Sequence, residues 1–272
     1  MNRLTGPGLP LLVVVEGEND IHFLKGMSQI LRRSDPSLPN LRELEAMRRI
    51  VFMPSCGNNL ATWAARLATL GLREFYLFDR EQEPETSQRQ RVADSINSRP
   101  GCFATLTSKR TVENYLHQTA IRATCGIDLT FGDNSDVPAL LALKLMERSG
   151  QLSWPDLHYK RQRRLHEKAK WLLNVKAVQR MTPDLLAEQD PGGEVIGWLR
   201  TIQRIIEETA ASSITVNSRE LATVLAALRY WQQDLIANEE GPISEHFNAH
   251  TPLTVEEIDD LCERINCGPS AA

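Results

Sequence analysis

Apolar and polar positions follow two rhythms along this chain, and the place where one gives way to the other divides it. Leu11–Val15 is a continuous apolar run that stops abruptly at Glu16-Gly17-Glu18-Asn19-Asp20. Such a run reads as a strand buried on both faces, as at the centre of a parallel sheet, and the first strand is placed over 11–16. From Asp20 to about Arg33, Ile21, Leu24, Met27 and Leu31 recur at helical spacing, which predicts an amphipathic helix. A loop with two prolines, Ser34–Asn40, leads to a short helix over Leu41–Arg49 and a second strand over Ile50–Met53, closed by the turn Pro54-Ser55-Cys56-Gly57. Asn58–Leu70 is again helical, with Gly71 as its C-cap. Glu74–Phe78 is a third strand, running into Asp79-Arg80-Glu81. Polar Gln82–Arg91 leads into a helix, Cys102–Leu106 is a fourth strand, and Thr111–Leu116 starts another helix.

Strands alternating with helices predict βαβ units and a mainly parallel sheet. Past the polar loop Gly132–Asp136 the alternation stops. Val137–Met146, Leu165–Val178, Glu194–Thr209, Ser218–Ile236 and Val255–Ile265 all read as helices, with Pro183, Pro191 and Pro242 in or near the breaks. The expected class is therefore α/β: a parallel sheet flanked by helices over residues 1–130, and a second, mainly helical domain over 131–272.

Open parallel sheets collect ligands beyond the carboxyl ends of their strands. Acids stand at three such places here. Glu16 and Asp20 follow the first strand, Asp79 and Glu81 the third, and Glu113 the fourth. Carboxylates gathered at one sheet edge repel one another in a poorly solvated pocket, and a divalent cation resolves the conflict. Hard oxygen ligands suit Mg²⁺ or Mn²⁺, and a pair of such ions suits phosphodiester cleavage.

Several of these residues also have structural readings. Asp20 could serve as the N-cap of the following helix, and Glu113 could simply complement a helix dipole. Lys109 and Arg110 could be solvated charges, Asn114 and Tyr115 read as turn and packing residues, and Glu81, Glu83 and Glu85 could form a solvated acidic loop. A carboxylate directly after LLVVV, as Glu16 is, has no comparable structural reading, and Asp79 after YLF stands close to it.

Net charge is −4 over 272 residues, so any contact with nucleic acid must come from a local basic patch. His158–Lys170 supplies one: Lys160, Arg161, Arg163, Arg164, Lys168 and Lys170 stand against a single acid, Glu167. It reads either as a track for a phosphate backbone or as a solvated helix face. The C-terminal part is acidic and is expected to face away from nucleic acid. The five cysteines form no CxxC pair, which suggests a reduced, cytoplasmic protein. No apolar run approaches the ~18–20 residues of a membrane span, and no signal peptide is expected. The six histidines show no HxxxH or HxH spacing, which gives no reason to expect zinc, and the first strand is not followed by GxGxxG.

Taken together, VEGEND at 15–20, FDRE at 78–81 and SKRTVENYL at 108–116 resemble the motifs of Toprim domains of the OLD (overcoming lysogenization defect) nuclease type, and PSCGNN at 54–59 is similar to that family's glycine-containing turn. The likeness covers roughly residues 10–120. It implies a metal-dependent endonuclease acting on DNA, in a setting such as defence against phage or plasmids. By that resemblance Glu16 binds metal and helps to activate water, Asp20, Asp79, Glu81 and Glu113 are metal ligands, and Lys109 places positive charge beside the transition state. Gly17 lets the backbone turn beside the metal. The chain departs from the pattern at Glu81, where a longer acid replaces an aspartate and Glu83 and Glu85 compete for the role. OLD nucleases usually carry an ATPase domain ahead of this segment. Here ten residues precede the first strand and no GxxxxGK[ST] occurs, so an ATPase is expected on a separate chain or not at all. Homo-oligomerisation is left open. The competing reading is a decayed Toprim module that binds nucleic acid or a protein without cutting.

Overall fold

The computed structural model describes residues 9–55, 60–150, 154–211, 218–237 and 253–267. Its centre is a four-stranded, wholly parallel sheet of β1 (Leu11–Val15), β2 (Ile50–Pro54), β3 (Glu74–Phe78) and β4 (Cys102–Leu106). The strand order is β2-β1-β3-β4. β1 and β3 are buried along their whole length, as the continuous apolar runs require. Val13 pairs with Phe52 on one side and Phe75 on the other. The chain leaves β1 towards β2 and leaves β3 towards β4, in opposite directions, so a crevice opens beyond the carboxyl ends of β1 and β3.

Side chains of successive strand residues point to opposite faces. Leu12, Val14, Tyr76 and Phe78 face α3 (Leu60–Ala68) and α4 (Glu85–Asn97), where they meet Ala64, Leu67, Ala93 and Ile96. Leu11, Val13, Val15, Phe75 and Leu77 face α1 (Glu18–Arg32), and the same cluster continues into later helices through Ile121, Leu141, Leu173, Val178 and Leu199. Beyond α2 (Leu41–Ala46), the later elements are α5 (Gln118–Cys125), α6 (Val137–Arg148), α7 (Tyr159–Trp171), a π-helical segment (Leu172–Ala177), α8 (Pro183–Gln189) and α9 (Glu194–Ala211).

These helices cover one face of the sheet and share its core. One compact unit runs over residues 7–213. The polar loop 132–136 marks the end of the βα alternation and not the end of the packed unit. Within the second unit, α10 (Ser218–Ala237) and α11 (Val255–Cys267) pair with each other: the Gln232 amide donates to the Val255 carbonyl at 3.1 Å, and Arg229 meets Asp259.

Three local readings change. The segment after β4 is a single 3₁₀ turn, Val112–Tyr115, followed by a separate helix α5. The helix expected over 165–178 begins at Tyr159 and becomes π-helical at Leu172. α8 starts on Pro183, at the first helical position, where a missing N–H costs nothing. The motif at 54–59 lies largely outside the described residues, since Cys56–Asn59 are not among them. No helix among the described residues is long and apolar enough to cross a membrane.

α1 meets the later helices at close quarters at Gly26. A Cβ there would lie 2.1 Å from Val178 Cγ1 and 3.3 Å from its Cβ. Gly26→Ala is expected to lower the stability by about 1–3 kcal/mol, a typical overpacking cost. Val178→Ala in the same chain should return part of that loss, measured by urea unfolding of the two variants.

Candidate active site

Each acid at the sheet edge is positioned by a different element. Glu16 follows β1 and accepts the Asp79 backbone N–H at 2.9 Å. Its carboxylate also meets the Arg89 guanidinium from α4, with Nη2 3.1 Å from Oε2, and Arg89 reaches the Asp79 carbonyl as well. Asp20 does not occupy the N-cap. Gly17 does, and Asp20 in the first turn reaches back to accept the Gly17 N–H at 2.8 Å. Asp79 follows β3, is buried, and accepts the Val112 N–H at 3.0 Å, which ties the end of β3 to the 3₁₀ turn. Glu113 lies in that turn, 1% exposed, and accepts the Asn174 amide from the π-helical segment at 2.7 Å.

Burial is the main force that raises the pKa of three of these carboxyls, Asp20, Asp79 and Glu16. It raises Asp20 to about 7, with Glu113 and Glu16 pushing the same way. It raises Asp79 well above the carboxylate range, reinforced by Asp20, Glu16 and Glu113. It also raises Glu16, although Arg89 and the Asp79 N–H oppose the shift. Lys170, at the end of α7, pulls all three back down. Burial works against its own charge, but Glu113, Asp79, Asp20 and Glu16 outweigh that and hold its pKa up. The edge thus gathers four acidic side chains with the Lys170 ammonium and the Arg89 guanidinium.

The other predicted residues lie differently. Glu81 has positive φ (56°), and its carboxylate pairs with Arg110 at 3.3 Å, while its N–H donates to the Arg110 carbonyl. It bears electrostatically on Glu16. Glu83 is exposed and accepts the Ser87 N–H, and Glu85 opens α4 in solvent. Lys109 is buried, but its ammonium is 2.6 Å from Asp133 and lies over the Tyr115 ring. Asn114 accepts from Thr111 N–H and donates to the carbonyls of Gly132 and Ser135, so it fastens the 132–136 loop. Tyr115 bonds Glu194 and packs edge-on against Trp198. Lys160, Arg161 and Arg164 line a groove of about 620 Å³ on the α6–α7 side, together with His158 and Lys168. Arg163 falls outside that lining. Seven residues from Lys170, it shares that lysine's edge of α7.

The sequence pattern does not mark Arg89 or Asn174 as site residues, and it marks Lys170 only as a member of the basic run 158–170. Lys170 has one legible signal: it stands six residues beyond Arg164, on another edge of the same helix. Arg89 sits in a polar stretch with nothing to distinguish it.

Buried, mutually repelling carboxyls are the donor chemistry that a hard divalent cation prefers. As the side chains stand, no group of three His, Cys, Asp or Glu among the described residues is arranged to hold a metal ion. Glu16 is turned to Arg89, Glu113 to Asn174, and Asp79 to a backbone N–H.

No family model matches the sequence. No curated protein matches it either. Among solved structures, the chain is similar to the C-terminal region of the Xanthomonas campestris pv. campestris OLD protein, at 14% identity and a TM-score of 0.40, over 74% of this chain and 96% of that one.

Asp20 binds its proton more tightly in the folded chain, near pH 7, than its ordinary 3.8 allows. Stability from that proton is present at low pH and lost as pH rises through the folded value. Without added metal, the unfolding midpoint should therefore fall by several degrees between about pH 5 and about pH 8. Asp20→Asn should flatten this slope, measured by thermal unfolding in EDTA.

Proposed function

We propose that this protein is a metal-dependent nuclease that cuts DNA phosphodiester bonds at the carboxyl edge of its sheet. The observation that carries the reading is the convergence of Glu16, Asp20, Asp79 and Glu113 in one poorly solvated cluster, where burial raises the pKa of Glu16, Asp20 and Asp79 and neighbouring acids push the same way. The order and spacing of the Toprim-like motifs support it. Glu16, Asp20, Asp79 and Glu113 would hold Mg²⁺ or Mn²⁺, and Glu81, whose charge bears on Glu16, would contribute only after leaving Arg110. The bound cation would offset phosphate charge and polarise the attacking water.

The chain's own residues do the rest. With its own proton lost on cation binding, Glu16 would accept the proton of the attacking water as oxygen bonds to phosphorus and the P–O ester bond breaks; the leaving alkoxide takes up a proton from solvent, which gives a phosphate end and an alcohol. Arg89 orients Glu16, and Asn174 orients Glu113. Lys170 brings positive charge to the side where negative charge grows, where fixed charge is most effective. Lys109, held by Asp133, keeps the loop before the 3₁₀ turn in place. A separate ATPase chain or a second copy of this protein fits this reading as a partner, and anti-phage or anti-plasmid defence in the cytoplasm fits it as a setting.

A second reading, a module that binds nucleic acid without cutting it, draws on the internal pairing of the acids, Glu16 with Arg89 and Glu81 with Arg110.

Cleavage of plasmid DNA with Mn²⁺ or Mg²⁺ should separate the two. Glu16→Ala and Asp79→Ala should each lower the rate at least ~100-fold, and Lys170→Met by about 10²–10³. Full activity in both acid variants defeats the nuclease site. No cleavage by the unaltered chain with either metal favours the binding module.

Lys160, Arg161 and Arg164 would follow the phosphate backbone along the α6–α7 groove. Replacing all three with Ala should weaken DNA binding without regard to sequence. The slope of log affinity against log salt should shrink by roughly one unit for each phosphate that is no longer neutralised, read by fluorescence anisotropy.

A further inference from the structure

A polar pocket of about 330 Å³ lies between α1, the start of α2 and the π-helical segment. Its wall includes His22, Gln29, Arg33, Arg42, Asn174 and Gln179, and no carboxylate is part of it. Neither Arg33 nor Arg42 uses its guanidinium group in a hydrogen bond or ion pair with the described residues. Two arginines lining one space without an acid suit an anion, and their guanidinium groups suit the planar, bidentate recognition of phosphate.

Asn174 adds a second, independent requirement. It is 1% exposed, and its amide nitrogen donates to Glu113 and to the Lys170 carbonyl. Its Oδ1 is buried and accepts nothing. An unsatisfied buried acceptor is costly, and Oδ1 is closed off from solvent, so a ligand that brings an N–H or O–H to it gains by doing so once the Asn174 side chain turns toward the pocket. The pocket thus asks for an anionic group at its arginine end and a donor at its inner end. Its volume is near the lower end of the range for small-ligand sites, about 300–1,000 Å³.

We propose that this pocket binds a nucleoside monophosphate unit, with the phosphate between Arg33 and Arg42 and a sugar hydroxyl or base amino group at Asn174 Oδ1. The unit can be a free nucleotide or the 5′-phosphorylated end of a strand. Because Asn174 also holds Glu113, the occupied pocket bears directly on the acid cluster. That coupling rests on the nuclease reading. The binding itself does not.

Titration calorimetry on the full chain in EDTA tests the pocket apart from any cleavage, with inorganic phosphate, a nucleoside 5′-monophosphate and a 5′-phosphorylated trinucleotide as probes. The monophosphate should bind at least tenfold more tightly than inorganic phosphate. Arg33→Ala/Arg42→Ala should weaken it at least tenfold; both residues are exposed, and an unchanged circular dichroism spectrum checks the fold. A trinucleotide that binds more tightly than the monophosphate identifies a strand end, and the reverse order identifies a free nucleotide. No saturable binding, equal binding of phosphate and monophosphate, or affinity unchanged in the double variant would each overturn the proposal. Binding that survives in a chain without nuclease activity would leave the pocket standing while removing the nuclease reading.

Discussion

Four carboxyl groups withdrawn from water at one sheet edge govern much of what surrounds them. Like charges crowded there repel one another, so each acid has drawn a compensating donor or charge from a different part of the chain. Glu16 takes Arg89 from α4, Asp20 takes a backbone N–H, Asp79 takes the N–H of Val112, and Glu113 takes Asn174. Lys170 bears on all four. The parallel sheet assembles the acids, because only a common strand direction brings the ends of β1 and β3 and the turn beyond β4 to one edge. The helices that follow residue 130 supply the lysine and the asparagine that make this edge tolerable.

That dependence explains why the helical stretch through α9 packs as part of the sheet's own unit. Its apolar residues close one face, with Leu141, Leu173, Val178 and Leu199 joining Val13 and Phe75 in one cluster. Its polar residues close the acid edge. The opposite face is covered by α3 and α4 with smaller side chains, and Arg89 of α4 crosses from there to Glu16.

Much of this could be read from the residues. LLVVV and EFYLF announced doubly buried strands, and the position of Glu16 and Asp79 directly after them placed both at the sheet edge. Local pattern could not show what long-range packing decides. Asp20 looked like a cap, and it became one from the third helical position, because the turn at Gly17 starts the helix earlier. The break in βα rhythm at 132–136 was visible, yet burial on the sheet carries no periodic mark, so the packing of the later helices against the sheet was not. Lys109 stood in the most suggestive motif, while the charge that reaches the acids belongs to Lys170, inside a run of which Lys160, Arg161, Arg164 and Lys168 line a groove. A helix shows its composition in one dimension, and which edge meets which neighbour is settled only by rotation about its axis.

That rotation gives the π-helical segment Leu172–Ala177 its meaning. An α-helix advances about 100° per residue, and a stretch of wider turns resets the angular count. Upstream of the reset, Lys170 is phased to the acids; downstream, Val178 is phased to the bare backbone at Gly26. The segment therefore acts as a phase joint between two otherwise incompatible registers. One continuous rod can seat its charge and its knob on different neighbours without either dictating the other.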